Sequence, residues 1–66
     1  MNITLNGRPQ EINPAMTLRN LVEQFCKNPA QVIVELNGTI IKNEQWGSRK
    51  VQDGDTLELV NLVGGG

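Results

Sequence analysis

Few groups in this chain could carry out chemistry, and the most exposed of them lies at its C-terminus. The chain ends in Gly64-Gly65-Gly66, contains one cysteine, Cys26, and has no histidine. One cysteine cannot form an internal disulfide or a cysteine-rich zinc site, and without histidine the usual imidazole base and metal ligand are absent. The remaining candidate for chemistry is the C-terminal carboxylate of Gly66.

The three terminal glycines cannot help the chain to fold, because glycine loses the most backbone freedom on ordering and has no side chain to bury. We therefore expect residues 64–66 to be a mobile tail on a domain formed by residues 1–63. Fully extended, such a tail reaches about 10 Å and carries no Cβ atom, so it could thread a narrow slot in a partner and present its carboxylate. A partner could then activate that carboxylate as an acyl-adenylate. A frayed chain end is the alternative.

Length and charge limit the other possibilities. A chain of 66 residues with 38% hydrophobic content forms one small domain, with no room for a nucleotide-binding or substrate domain. We therefore expect neither an independent enzyme nor a bound cofactor. A net charge of −1 argues against nucleic acid as a partner. The apolar runs are far shorter than the roughly 20 residues that span a bilayer, and the polar start does not resemble a signal peptide, so we expect a cytoplasmic protein without membrane contact.

Strands are predicted wherever apolar residues alternate with polar ones or β-favouring residues form a run. Two Asn-Gly pairs, at Asn6 and Asn37, predict tight hairpin turns and are interpreted as turn geometry alone. Pro9 indicates that the second strand either lies at an edge of the sheet or is irregular at its start. The predicted strands are Met1–Leu5, Arg8–Ile12, Val32–Leu36, Thr39–Lys42 and Thr56–Val63.

One segment has the period of a helix. Its apolar stripe comprises Leu18, Leu21, Val22, Phe25 and Cys26. Thr17 is a suitable N-cap, Lys27 is expected in the last turn, and Asn28-Pro29 ends the segment after about three turns. A helix this short must pack on a sheet.

The order of these elements predicts an α+β protein with the β-grasp layout. In this layout a mixed sheet of four or five strands carries the helix across one face, and the first and last strands lie parallel at its centre. Strand parity then assigns the core to Met1, Ile3, Leu5, Val32, Val34, Leu36, Leu57 and Leu59.

The same parity leaves Ile33, Val60 and Leu62 on the outward side, with Glu35 and Glu58 at the rim. Exposed aliphatic side chains close together favour a docking surface for a partner. A scatter of single exposed aliphatic residues is the alternative, and it is common on any protein surface.

Over almost its whole length the chain resembles the ThiS family of ubiquitin-like sulfur carriers. The resemblance rests on Leu36-Asn37-Gly38, Glu44-Gln45-Trp46, Asp53-Gly54-Asp55 and the ending Val60-Asn61-Leu62-Val63-Gly64-Gly65-Gly66. It implies that a ThiF-like adenylating enzyme, which uses ATP, activates Gly66. A sulfur donor enzyme then supplies sulfur for a C-terminal thiocarboxylate, and thiazole synthase takes that sulfur for the thiazole ring of thiamine. Gly65 and Gly66 match the functional diglycine of the family, and Gly64 extends it.

Other readings stay open at this point. A MoaD-like carrier for molybdopterin synthesis would use the same chemistry, although its Pro-rich approach to the diglycine is missing here. A ubiquitin-like modifier would join Gly66 to lysines, and a plain β-grasp module would only bind. We expect the free chain to be a monomer.

Three further residue types favour structural roles. Cys26 is expected to be a core thiol rather than a persulfide relay, and Trp46 is expected to be a core or rim anchor rather than a partner contact. Asp53 and Asp55 fit a turn, since they lack the further ligands of a calcium loop.

Overall fold

The structure is a computed structural model that describes residues 1–61, and within this range one α-helix packs on a five-stranded mixed sheet. The order across the sheet is β2-β1-β5-β3-β4, with β1 and β5 parallel and the other pairs antiparallel. This arrangement confirms the predicted β-grasp fold. The elements are β1 (Asn2–Leu5), β2 (Arg8–Glu11), α1 (Leu18–Phe25), β3 (Val32–Leu36), β4 (Thr39–Ile41) and β5 (Thr56–Asn61).

Both Asn-Gly pairs form the predicted hairpin turns. Asn6 and Asn37 each have φ of +51°, and the glycine that follows each of them also has positive φ. A type I′ turn matches the twist of the flanking strands and needs positive φ at both central residues, which Asn-Gly adopts readily. β2 is an edge strand, the first of the two alternatives that Pro9 indicated.

The helix begins as predicted but ends earlier. Thr17 caps it by accepting a hydrogen bond from Asn20 N at 3.1 Å, and the Asn20 side chain accepts one from Thr17 N at 3.1 Å. α1 ends at Phe25 after eight residues, and Cys26 is already extended, with φ −126° and ψ 136°. The prediction of about three turns with Lys27 in the last one is therefore wrong. Asn28-Pro29 disfavours helical backbone, and the chain leaves α1 ahead of it.

The core lies between α1 and one face of the sheet. Its fully buried side chains include Leu18, Leu21 and Val22 from the helix and Val34 and Leu57 from the sheet. Strand parity is confirmed, because the inward positions are buried or, at Met1, Leu5 and Leu59, partly buried against the same cluster.

Trp46 closes the core where the chain connects β4 to β5. It is 2% exposed, and its Nε1 donates a hydrogen bond of 3.0 Å to the carbonyl oxygen of Ile41. The Arg19 guanidinium lies over its ring, 5.8 Å from the centroid, and Arg19 Nη2 donates to the carbonyl oxygen of Asn43. The core-anchor prediction for Trp46 is confirmed.

The predicted division into a domain of residues 1–63 and a tail of residues 64–66 stays a prediction, because its boundary lies outside the described residues. Within residues 1–61, no helix is long and apolar enough to cross a membrane.

Candidate functional site

The sheet has one face covered by α1 and one uncovered face, which we call the outer face. Ile33 in β3 and Val60 in β5 are direct partners in the antiparallel register, so their side chains lie side by side on the outer face. Val60 is 50% exposed and Ile33 is half-buried. Two of the three predicted docking residues are thus brought together. The third, Leu62, lies outside the described residues.

Ile40 adds an aliphatic side chain to this face that the sequence prediction omitted. It is 63% exposed and pairs with Glu35 across the β3–β4 hairpin. Because paired residues share a face, the outward assignment of Glu35 already implied that Ile40 points outward too. The turn at Asn37 fixes the register of the hairpin, and this register could have been used to predict that Ile40 lies on the outer face.

Two glutamates lie side by side on the outer face, next to the pair formed by Ile33 and Val60. Glu35 and Glu58 are direct partners in the β3–β5 register, and Glu35 also pairs with Ile40. Like charges opposite each other on a sheet destabilise it slightly. The outer face therefore combines exposed aliphatic groups with two adjacent negative charges, and a partner surface that is apolar and basic would complement it.

Side chains from both Asn-Gly turns hold β5, the strand that leads towards the C-terminus. Asn37 Oδ1 accepts a hydrogen bond of 2.8 Å from Thr56 N, at the start of the strand. Asn6 Oδ1 accepts one of 2.8 Å from Leu59 N, further along it. The interpretation of these asparagines as turn geometry alone is therefore wrong, since each turn also positions β5.

Cys26 follows the helix at the edge of an open groove, which also includes Phe25 and Leu59. The thiol is half-buried, and desolvation by burial raises its pKa. A raised pKa leaves less of the nucleophilic thiolate at neutral pH, so the environment favours an unreactive thiol. Phe25, expected on the buried stripe, is 37% exposed instead, because it is the last residue of α1 and lies at the rim of the core.

The carboxylates of the acidic turn before β5 accept hydrogen bonds from backbone amides, one in β1 and one in the turn itself. Asp53 Oδ1 accepts a hydrogen bond of 2.8 Å from Asn2 N, and Asp55 Oδ2 accepts one of 2.7 Å from Gln52 N. Gly54 between them has φ of +86°. Asp55 therefore stabilises the turn, as predicted, whereas Asp53 joins the turn to β1. Residues 1–61 contain no cluster of three or more side chains suited to a metal ion.

The reactive group predicted from the sequence lies beyond this framework. Gly64, Gly65 and Gly66 are outside the described residues, and Gly66 is five positions beyond the end of β5 at Asn61. At no more than about 3.6 Å per residue, Gly66 is within about 18 Å of Asn61. Part of the surface of an enzyme that binds the carboxylate must therefore lie close to the end of β5.

Comparisons with known proteins agree on one family. The model of the ThiS family matches residues 3–66. The sulfur carrier protein ThiS of Escherichia coli is 32% identical over 66 residues, which is the full length of both chains. A thiazole synthase of Magnetococcus marinus is 33% identical over the whole of this chain, which corresponds to 20% of that protein. The crystal structure of the thiamine biosynthesis protein ThiS from Geobacter metallireducens superposes with a TM-score of 0.87 at 32% identity, covering both chains completely.

Proposed function

The chain belongs to the ThiS family of sulfur carriers in thiamine biosynthesis, and from this membership we propose that the C-terminal carboxylate of Gly66 carries the sulfur. The similarity to a sulfur carrier over the full length of both chains, through to the last glycine, carries this proposal. The domain supplies recognition, and the glycine end supplies the reactive group.

The chemistry needs two steps. A carboxylate oxygen of Gly66 attacks the α-phosphorus of ATP, which forms an acyl-adenylate and releases pyrophosphate. Hydrosulfide released by the sulfur donor then attacks the acyl carbon, so that a C–S bond forms as the C–O bond to AMP breaks, and the product is a C-terminal thiocarboxylate. Activation is required because a carboxylate itself has no adequate leaving group.

Both steps are assigned to partner enzymes, and this chain is a protein co-substrate rather than an enzyme. It has no histidine, its cysteine has a raised pKa, and the acidic pair in the turn before β5 is engaged by backbone amides. ATP is bound by a ThiF-like adenylating enzyme in this scheme, and a sulfur donor enzyme provides the sulfur. The chain itself holds no cofactor.

The outer face is assigned to docking on the adenylating enzyme. Ile33 and Val60, paired on the outer face, together with Ile40 and the neighbouring Leu62 of the sequence, supply the apolar contact. Glu35 and Glu58 add two adjacent negative charges, which a basic partner would neutralise. Docking would then relieve the repulsion between the two glutamates.

Thiazole synthase is assigned as the enzyme that takes the sulfur. Two similar proteins are thiazole synthases, and in each a segment of 20% of the length matches this entire chain. A carrier-like segment within the same polypeptide as a thiazole synthase supports a direct encounter between the two. Delivery from a protein also keeps reactive sulfur from being diluted or oxidised.

Intact-mass measurement tests this function. The purified chain is incubated with the adenylating enzyme, ATP and a sulfur donor, and we expect replacement of one oxygen by one sulfur in the chain. Transfer of that sulfur on addition of thiazole synthase and its substrates distinguishes a carrier for thiazole formation from one for molybdopterin. Conjugates with larger proteins would indicate a modifier instead, and an unchanged mass in the presence of active enzymes would refute the proposal.

A further inference from the structure

The two edges of β5 are paired to different extents. Towards β3 the register runs along five residue pairs, from Leu36↔Leu57 to Val32↔Asn61. Towards β1 it comprises only Thr4↔Thr56 and Leu5↔Leu57, because β1 ends at Leu5 and the chain turns away. The second half of β5 therefore lies beyond the end of its parallel neighbour.

Asn6 extends this short ladder by one hydrogen bond. Its backbone N–H donates to the carbonyl oxygen of Leu57 at 2.8 Å, as a parallel strand would. The next bond of a parallel ladder would run from Leu59 N to the Asn6 carbonyl, but Asn6 has already entered the turn. Its side-chain Oδ1 accepts the bond from Leu59 N in place of the carbonyl.

Beyond this bond, the edge of β5 has backbone groups that make no hydrogen bond to another strand within residues 1–61. The N–H and C=O of one strand residue point to the same side, and the side alternates along the strand. Since Leu57 and Leu59 bond towards β1, the Leu59 carbonyl and both backbone groups of Asn61 point the same way. Within residues 1–61 no strand pairs with this stretch, and Asn61 is exposed. We call it the open edge of β5.

An open groove of about 390 Å³ lies beside the open edge. Its apolar wall includes Leu5, Leu59 and the exposed ring of Phe25, and Lys27 adds a positive charge. The groove is on the helix side of the sheet, whereas Ile33 and Val60 are on the outer face. Docking through the outer face therefore leaves the open edge and its groove accessible.

We propose that the open edge of β5 receives an extended segment of the enzyme that binds the glycine end. The segment would pair with Leu59 and Asn61 as an added strand, put an apolar side chain into the groove and place a carboxylate near Lys27. Strand addition to an exposed edge is a general mode of peptide recognition. This proposal rests on the proposed function, which requires an enzyme to hold Gly66.

The position of the edge favours such an enzyme over other occupants. Gly66 lies within about 18 Å of Asn61, so the enzyme that binds it must place a surface beside the edge. A second copy of this chain has less to offer, because Pro9 interrupts its β2 edge and its β4 edge has only three residues. A strand added here would also extend the sheet beside the chain that leads to Gly66, which orients that chain.

Two variants at Asn61 separate the backbone contact from the side chain. Asn61→Pro removes the N–H that the added strand would use, whereas Asn61→Ala keeps it. The loss of the side chain is common to both. The Asn61 N–H points away from β3, so proline at this position leaves the β3–β5 ladder intact. We expect Asn61→Pro to bind the adenylating enzyme at least about tenfold more weakly than Asn61→Ala, from the lost bond and the bulk of the ring.

Amide hydrogen exchange on the wild-type chain provides a test that needs no variant. In complex with the adenylating enzyme, the Asn61 amide should exchange at least about tenfold more slowly than in the free chain. Unchanged Asn61 exchange in a complex that still adenylates the chain would overturn the open-edge proposal and leave the proposed function intact. If the Asn61 amide exchanges slowly in a complex that forms no adenylate, the proposed function is refuted but the open-edge proposal still holds. If the Asn61 amide of the free chain exchanges more slowly as the concentration of the chain increases, the open edge pairs with a second copy instead.

Discussion

Replacement of Val60 with aspartate tests the outer face as a docking surface without entering the core. The Val60 side chain is 50% exposed and points away from α1. Aspartate at an exposed strand position costs about 1 kcal/mol in β-propensity. For a domain of this size, that cost lowers the melting temperature by about 4–8 °C. We therefore expect Val60→Asp to fold.

Binding should be affected more than folding. Complete burial of a valine side chain is worth about 1.5–3 kcal/mol, and half of Val60 is exposed in the free chain, so docking gains about 1 kcal/mol from it. Aspartate loses this gain and puts a carboxylate beside Ile33 in the apolar part of the contact, which costs about 1–3 kcal/mol more. The sum of about 2–4 kcal/mol predicts roughly 30- to 1,000-fold weaker binding to the adenylating enzyme.

Calorimetric titration with the adenylating enzyme measures the affinity, and thermal denaturation measures the fold. Val34→Asp is the matched control, because Val34 is on the same sheet but fully buried, and we expect that variant to unfold. A Val60→Asp chain that folds and binds like wild type would show that the outer face is not the docking surface. A Val60→Asp chain that unfolds would show that the face assignment is reversed.

Three further predictions concern residues that hold the framework or lie beside it. Trp46→Phe leaves the buried Ile41 carbonyl without its donor, so urea denaturation should show a loss of about 1–3 kcal/mol, and equal stability would contradict this role. Asn37→Ala removes the acceptor for Thr56 N and forces alanine to positive φ, so the variant should lose about 2–4 kcal/mol of stability. Asn37→Gly also loses the acceptor but tolerates positive φ, so its loss should be smaller by the strain of about 1–2 kcal/mol. Because burial raises the pKa of Cys26, the unfolded chain loses the thiol proton before the folded chain does as pH rises. The free energy of unfolding should therefore fall above the ordinary thiol pKa. Denaturation at a series of pH values should show this fall for the wild-type chain and not for Cys26→Ser.

Most of the fold follows from patterns within short stretches of sequence. β3 occupies the predicted residues, since Val32, Val34 and Leu36 alternate with outward residues and an Asn-Gly turn ends the strand. The helix start is equally local, because Thr17 and Asn20 form the cap between themselves. The end of the helix is not set by the local apolar pattern. Cys26 continues that pattern, yet the helix ends before it, ahead of Asn28-Pro29.

Two features that were not predicted, the second role of Asn6 and the open edge of β5, depend on residues distant in sequence. Asn6 accepts a hydrogen bond from Leu59, a residue brought near only by the crossover between the first and last strands. Nothing in the Asn6-Gly7 dipeptide distinguishes this role from an ordinary turn. Ile40 could have been assigned to the outer face from the hairpin register. Prediction of the open edge of β5 would have required the lengths of both neighbouring strands.

If the carboxylate of Gly66 is the reactive group, one residue added after it should block activation. One alanine after Gly66 leaves every described side chain unchanged but moves the carboxylate beyond the position at which a bound ATP can react with it. Since reactive geometry tolerates an error of only about 1 Å, ATP–pyrophosphate exchange by the adenylating enzyme should fall by orders of magnitude while the affinity of the carrier is largely retained. Exchange at the wild-type rate by the extended chain would show that the Gly66 carboxylate is not the reactive group.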